Sequence, residues 1–375
     1  MEIGSQKRRG ARTRSKWKPL LTVILILVAI RLVLPFAMQA YFNARLDQIN
    51  GYTGRVDSVS VRLLRGSYTL QEVEIVRRDG EIPPPFFTAE RIRYSMRWSE
   101  LIRGSLLGSA RLDQPVVHFA IQPDGGGQSG AGVDWLQELS GLSPLTLDAV
   151  EIHGGRIHVS DFGQDEPVHA FVADLTAEVG NLQNRRRLTD DLFASLRARG
   201  RPMGVGRMTM TMAFSTIAES PHFDLNVSLS DLPLESLDAF LRLYGNYQVE
   251  AGMFDLYSEV LAEAGGYEGR SSAFFSGLVV QLWREPPPPI EDGGEGLEAE
   301  EPVAIWPLWE LWDDIREPVT ALRGPPESLV LRAPFTGAFE DPAIALDAAV
   351  LHVLLELMVH GLVAGLEAEV EEEDE

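Results

Sequence analysis

The sequence predicts a mainly β protein with a few helices, in which an apolar N-terminal helix precedes an elongated, curved antiparallel sheet. Three observations lead to this prediction. Many segments alternate polar and apolar residues with period two, 34 Gly and 23 Pro residues punctuate them, and the chain has no Cys. Without disulfides or thiolate metal sites, folding depends on a hydrogen-bonded sheet and on apolar packing.

The first predicted element is a transmembrane helix over residues 19–41. Residues 20–41 form one apolar run, interrupted only by Arg31 and Gln39, that is long enough to span a bilayer. Seven basic residues and one acid, Glu2, precede the run. The positive-inside rule therefore predicts a cytoplasmic basic tail over 1–18 and places the rest of the chain outside the cytoplasm. A cleaved signal peptide is the alternative, but its apolar core would be shorter.

Arg31 is the unusual residue of this run. It lies roughly 16 Å into the run at ~1.5 Å per residue, where a charged side chain is costly. Either the span shifts toward Trp17 and Arg31 snorkels outward, or Arg31 faces a partner helix or a lipid headgroup.

After the helix, period-two alternation predicts a series of half-buried antiparallel strands. The predicted strands cover residues 56–63, 67–76, 91–98, 109–121, 145–153, 156–161, 168–179, 207–217, 222–229, 252–262, 268–283 and 328–339. Gly204 and Gly206 are interpreted as a turn that precedes one of them.

A loose internal repeat runs through four of these strands. Each copy has an apolar residue, a two-residue step, a second apolar or Pro position, and then resumed alternation. A bulge or tight corner at the step would keep the apolar residues on one face of the sheet. Such a face must be covered by helices, by a second sheet, by curling or by an apolar ligand. The candidate residues of a lipid-facing groove are Leu70, Val73, Ile75, Leu112, Val117, Leu147, Val150, Ile152, Leu229, Leu232 and Leu234.

Four helices are predicted beyond the N-terminal one, over residues 134–140, 233–244, 303–322 and 342–366. The third carries Trp306, Trp309 and Trp312 at every third position, an aromatic face that would suit a core lid, a partner groove or a membrane interface. The last is apolar but carries Asp347 and a His–Glu–His stripe, so an amphipathic cap on the sheet is favoured over a second membrane span.

Composition divides the remainder of the chain. Residues 42–284 form the β-groove domain, 285–302 an acidic loop rich in Pro and Gly, 303–366 the helices and strands that complete the domain, and 367–375 an acidic tail. The net charge of −22 repels phosphate backbones and argues against a nucleic-acid partner.

No pattern of catalytic residues is found. His352, Glu356 and His360 are four residues apart, whereas a metalloprotease helix needs two His four apart with Glu beside the first. No nucleophile elbow, phosphate loop or dinucleotide fingerprint occurs. We therefore predict a protein that is not an enzyme, with no catalytic, cofactor-binding or metal-binding residues; a hydrolase would need convergence of scattered acids or histidines.

Several short segments, taken in order, resemble a bacterial branch of the AsmA-like envelope proteins. Together with the basic anchor, they are residues 51–54 (GYTG), 65–68 (RGSY), 84–87 (PPFF), 132–135 (GVDW), 151–157 (EIHGGRI) and 161–162 (DF).

The resemblance implies a single-pass protein of the bacterial inner membrane whose bulk is a periplasmic, repeating β-groove. Larger relatives are implicated in phospholipid movement between the envelope membranes and in outer-membrane assembly. The expected partners are therefore the inner membrane and a phospholipid or other envelope lipid. The alternative is an envelope scaffold or adaptor that binds another protein and fills its groove with its own side chains.

Overall fold

The structure is a computed structural model. It describes residues 17–62, 65–78, 84–96, 107–121, 127–128, 146–162, 168–182, 194–215, 220–245, 247–263, 265–282, 320–324 and 328–339.

Helices are few among the described residues. Helix α1 covers Trp17–Leu46, a 3-10 helix covers Leu234–Leu237, and α2 covers Asp238–Gly245. Fourteen strands follow α1: β1 Tyr52–Arg62, β2 Ser67–Arg77, β3 Phe87–Met96, β4 Leu107–Ile121, β5 Gly127–Gln128, β6 Thr146–Asp161, β7 Val168–Gly180, β8 Ala194–Pro202, β9 Arg207–Phe214, β10 Phe223–Pro233, β11 Tyr247–Glu263, β12 Gly266–Leu282, β13 Thr320–Gly324 and β14 Ser328–Ala338.

All fourteen strands belong to one open, curled sheet. Its order is β1-β2-β3-β4-β6-β7-β8-β9-β10-β11-β12-β14-β13, with the short β5 paired to β4. The predicted mainly β fold is confirmed, but the sheet is only mostly antiparallel, because β4 and β6 pair in parallel. The chain can make this parallel step because well over a dozen residues separate Ile121 from Thr146, enough for a crossover connection.

The two-residue step of the internal repeat is a backbone irregularity, as predicted. Glu72, Gln114 and Asp231 occupy the third position of three copies, and their φ angles are 48°, 50° and 55°. In the fourth copy, Asp148 is skipped where β4 pairs with β6. At each irregularity two residues, instead of one, separate consecutive inward-facing positions, so that the apolar side chains before and after it face the same side.

These irregularities lie side by side on neighbouring strands. A Cβ added to Gly154 of β6, which has φ 65°, would lie 3.7 Å from Gln114 Cγ of β4. Asp174 continues the line on β7 with φ 51°. The period-two pattern did not reveal Gly154 or Asp174, and the separate predictions 145–153 and 156–161 are therefore wrong: they form the single strand β6.

Helix α1 runs along β1, the first edge of the sheet. Asn43 Oδ1 accepts a hydrogen bond from the Val56 backbone N–H at 2.7 Å, and Gln39 Nε2 donates to the carbonyls of Val56 at 3.2 Å and Asp57 at 2.5 Å. Arg31 Nη1 donates to the Val61 carbonyl at 3.4 Å. Arg31 and Gln39, the polar residues that interrupt the apolar run, thus donate hydrogen bonds to backbone carbonyls of the edge strand β1, which has no neighbour among the described strands on this side.

Two elements differ from the sequence predictions. Strand β8 was not predicted, because three of its four inward positions are small residues, Ala194, Ala198 and Gly200, and only Leu196 is large, which gives a weak apolar alternation. Pairing with β7 and β9 on both sides makes this segment a strand. The predicted helix 303–322 is wrong at its end, since Thr320–Gly324 pairs with β14 as β13.

Other predictions are confirmed or fall outside the described residues. The helix predicted over 233–244 is present as the 3-10 helix followed by α2. Backbone hydrogen bonds from Gly204 and Gly206 to Arg201 and Pro202 confirm the predicted turn. Predicted segments outside the described residues are residues 1–16 of the cytoplasmic tail, the helix at 134–140, the acidic loop and tail, the three Trp residues and the C-terminal helix; residues 17 and 18 of the predicted tail belong to α1.

Candidate functional site

Ten of the eleven residues predicted to face a groove lie on one apolar face of the sheet, the inner face, and the eleventh, Leu234, lies in the 3-10 helix that packs against it. Eight are buried: Leu70, Val73, Ile75, Leu112, Leu147, Leu229, Leu232 and Leu234. The other three, Val117, Val150 and Ile152, are half-buried and pack against a neighbouring core cluster. The repeat therefore identified residues of a shared face, most of which are covered by the protein's own side chains.

One end of the inner face is filled by the C-terminal part of α1 and by the turn that follows it. Phe42, Leu46 and Ile49 are 1%, 0% and 2% exposed and belong to the same cluster as residues of β1–β4 and β6. The Phe42 ring stacks on Tyr68 with centroids 5.6 Å apart, and Tyr68 stacks on Tyr94 at 4.9 Å. This ladder of rings makes α1 part of the folded core rather than a separate tether.

The opposite part of the face is filled by the 3-10 helix and α2. Leu234, Leu237 and Leu241 are buried with residues of β10–β12 and β14. Asp238 Oδ1 accepts the Val249 backbone N–H at 2.9 Å and fixes the start of α2. Helix α2 contacts both β11 and β7, although three strands lie between these two in the sheet. Such a short helix can reach both strands because the sheet curls around it.

The central face lies between these two filled parts, on β4 and β6–β9. The apolar side chains that define it are half-buried and pack against the adjoining clusters, whereas Ala177, Ala198 and Met212 on the same strands are buried. Five strands at ~4.8 Å spacing give it a width of about 20 Å. No described helix covers the central face away from α2. The central face is defined by Val117, Phe119, Val150, Ile152, Val179, Leu196 and Met210.

The outer face of the sheet is polar and charged. Arg91 and Arg111 both approach the Asp113 carboxylate, at 3.7 and 3.0 Å. Farther along, an open depression of about 520 Å³ is lined by hydroxyl, amide and charged side chains, with Tyr257 at its edge. Its residues include Thr209, Thr211, Asn226, Ser228, Glu259, Arg270 and Ser272. Exposed pairs such as Arg270–Glu259 contribute little to stability.

Three of the four histidines on the described strands, His118, His158 and His169, come together on this outer face. His118 and His158 are register partners of β4 and β6, and their rings stack with centroids 4.7 Å apart. Burial lowers the pKa of His118, opposed by a hydrogen bond with the Pro85 backbone. Burial, then the charges of His118, Arg156 and His169, lower the pKa of His158. Sequence spacing could not reveal this cluster, because it depends on the parallel pairing.

Ser160 and His169 form a hydrogen-bonded pair next to the stack, with Ser160 Oγ 2.8 Å from His169 Nδ1. Ser160 is 5% exposed, so this bond satisfies a buried hydroxyl. Within the described residues no group of three or more His, Cys, Asp and Glu side chains is placed to hold a metal ion.

The histidine stack predicts a pH-dependent stability. Unfolded His titrates near pH 6.5, whereas burial keeps His118 and His158 neutral to lower pH. Below about pH 6.5 the unfolded chain therefore binds more protons, and the free energy of unfolding falls as pH drops. Urea midpoints measured between about pH 8 and about pH 5 should show this decline.

Replacing both residues, His118→Gln with His158→Gln, should reduce the slope of that decline. The variant His153→Gln is the control, since His153 lies on the same strand outside the stack. An unchanged slope in the double variant would show that the stack does not cause the pH dependence.

Across the described residues, no helix combines the length and apolar character needed to cross a membrane. No protein-family model matches the chain, and no curated protein matches it either. The functional proposal therefore depends on the residues and on the fold.

Proposed function

We propose that this chain is a non-enzymatic envelope protein whose central face binds lipid acyl chains, contributing to lipid transport or outer-membrane biogenesis. The observation that carries the proposal is the half-buried apolar surface between two filled parts of a curled sheet. Covering such a surface gains about 25 cal/mol per Å² removed from water. An acyl chain is an apolar, flexible ligand that could follow a face about 20 Å wide.

The same proposal includes a membrane anchor in α1. Large apolar side chains of α1 are exposed, and Phe36, Leu25 and Leu32 are 73%, 70% and 64% exposed. The basic residues before α1 and the acids after it support an N-terminus in the cytoplasm and a bulk of the chain in the periplasm of a bacterial envelope. The ordered motifs that resemble AsmA-like proteins support the same compartment and the same lipid partner.

Photocrosslinking to lipid tests the proposal. A photoreactive amino acid at Leu196 or Met210 should capture phospholipid in native membranes, since both side chains belong to the central face. The matched controls are the adjacent residues Arg197 and Thr211, which are exposed and point to the other side of the strand. Capture at neither Leu196 nor Met210, or equal capture at all four positions, would refute lipid binding by the central face.

A second candidate function is an envelope scaffold or adaptor with a self-filled interior. The observation that favours it is the filling of both parts of the inner face by α1 and α2. Lipid analysis of the detergent-purified protein separates the two candidates. Stoichiometric bound lipid supports the first, whereas a lipid-free protein that copurifies with an envelope protein supports the second.

A further inference from the structure

The contacts of α1 fix its register against the sheet. Asn43 bonds the backbone of Val56, whereas Arg31, twelve residues earlier in the helix, bonds the carbonyl of Val61. Val61 is the penultimate residue of β1, so the helix before Arg31 extends past this end of the β1–β2 pair. The 14 residues from Trp17 to Ile30 span about 21 Å at ~1.5 Å per residue.

On α1 and on the described ends of β1 and β2 beside this exit point, the charged residues are basic. Helix α1 contains no acid, and between Asp57 and Glu72 the only charged residues are Arg62 and Arg65. Arg31, Arg62 and Arg65 are all exposed. In a chain of net charge −22, this local excess of arginine is complementary to an anionic surface.

We infer that Arg31, Arg62 and Arg65 contact the phosphate headgroups of an anionic phospholipid membrane at the point where α1 leaves the sheet. Apolar side chains on the helix beyond Arg31, Leu21, Leu25 and Val28, are exposed and lie on the side where the bilayer interior would be. Arginine suits this position because its guanidinium forms paired hydrogen bonds with phosphate. The inference rests on the proposed membrane anchor and adds the depth at which the sheet meets the membrane.

If the lipid headgroups lie at the level of Arg62, the central face lies beside the membrane. Strand directions put the end of β7 and the start of β8 at the same end of the sheet as Arg62. Val179 and Leu196 of the central face pair with each other near that end. A lipid leaving the membrane at the headgroup level would therefore meet apolar side chains of the central face without crossing the length of the sheet.

The absence of Cys allows a depth measurement on the full chain. A fluorescent label is attached to the variant Ser67→Cys, because Ser67 pairs with Arg62. The labelled protein is placed in vesicles of phosphatidylethanolamine and phosphatidylglycerol that include a lipid with a nitroxide quencher on its headgroup. Val205→Cys is the control, because Val205 is 51% exposed in the turn at the opposite end of the strands. We expect strong quenching at position 67 and none above the lipid-free level at position 205.

Charge reversal then tests the arginines. Arg62→Glu with Arg65→Glu, added to Ser67→Cys, should abolish most of the quenching, since each basic residue near an anionic surface contributes about fivefold to its occupancy. Arg207→Glu with Arg270→Glu makes the same change in net charge away from α1 and should leave the quenching unchanged.

Vesicle flotation separates the possible failures. Protein that floats with the vesicles but shows no quenching at position 67, or quenching insensitive to the Arg62 and Arg65 reversals, overturns the headgroup contact and leaves the anchor intact. Protein that does not float overturns both the anchor and this inference.

Discussion

Phe42→Ala is expected to lower the free energy of unfolding by about 3–5 kcal/mol. Phe42 is 1% exposed, stacks on Tyr68 and lies in the cluster that joins α1 to β1–β4 and β6. Its removal leaves a cavity at the place where the helix covers the inner face. This loss is a large fraction of the 5–15 kcal/mol typical of a folded domain. Urea unfolding in detergent, followed by circular dichroism, measures it.

Phe36→Ala is the matched control on the same helix. Phe36 is 73% exposed, so its replacement should change the free energy of unfolding in detergent by no more than about 0.5 kcal/mol. Equal destabilisation by the two substitutions would contradict the packing of the C-terminal part of α1 against the sheet.

Deletion of Glu72 is expected to prevent stable folding. Val73 and Ile75, which follow Glu72 on β2, are 2% and 1% exposed on the inner face, and β2 keeps one register with β1 and β3 on both sides of Glu72. Without Glu72, the residues that follow it move one position along both neighbouring strands. Ile75 then lies between Arg55 and Thr88, and Val73 lies beside Asp57 and Glu90, positions whose side chains are exposed or half-buried. Exposure of both costs about 3–6 kcal/mol. Circular dichroism and resistance to proteolysis would report the loss.

The variant Glu72→Gly removes the side chain at position 72 but keeps the residue and its backbone conformation. Gly adopts a φ of 48° without the steric cost borne by other residues, so this variant should retain the fold and gain up to about 1 kcal/mol. Strong destabilisation by Glu72→Gly, or normal folding after the deletion, would refute the proposed role of position 72.

The internal repeat shows how much of the fold can be predicted from the sequence. The step in each copy predicted an irregularity that keeps apolar residues on one face, and Glu72, Gln114 and Asp231 have the expected backbone conformation. The same device at Asp174 was missed, because its neighbours on β7 do not alternate clearly. The apolar face was thus predictable wherever the alternation on both sides of the step is strong.

The partners of isolated polar residues could not be predicted. Arg31 and Gln39 interrupted an apolar run and allowed several interpretations, whereas in the structure they bond the backbone of β1. Likewise, His118 and His158 are 40 positions apart in the chain and meet only because β4 and β6 pair in parallel. Such contacts depend on which strands become neighbours, and that choice leaves no local pattern.

The sequence by itself determined most of the strands, the face on which their apolar side chains lie and the backbone irregularities that keep them there. These follow from period-two alternation and local backbone preference, which act over a few residues. The tertiary structure decided how much of that face remains available. Phe42 and Leu46 fill one part, Leu237 and Leu241 fill another, and the central face lies between them. Coverage depends on residues far apart in the chain, because α2 reaches β7 only after the sheet has curled.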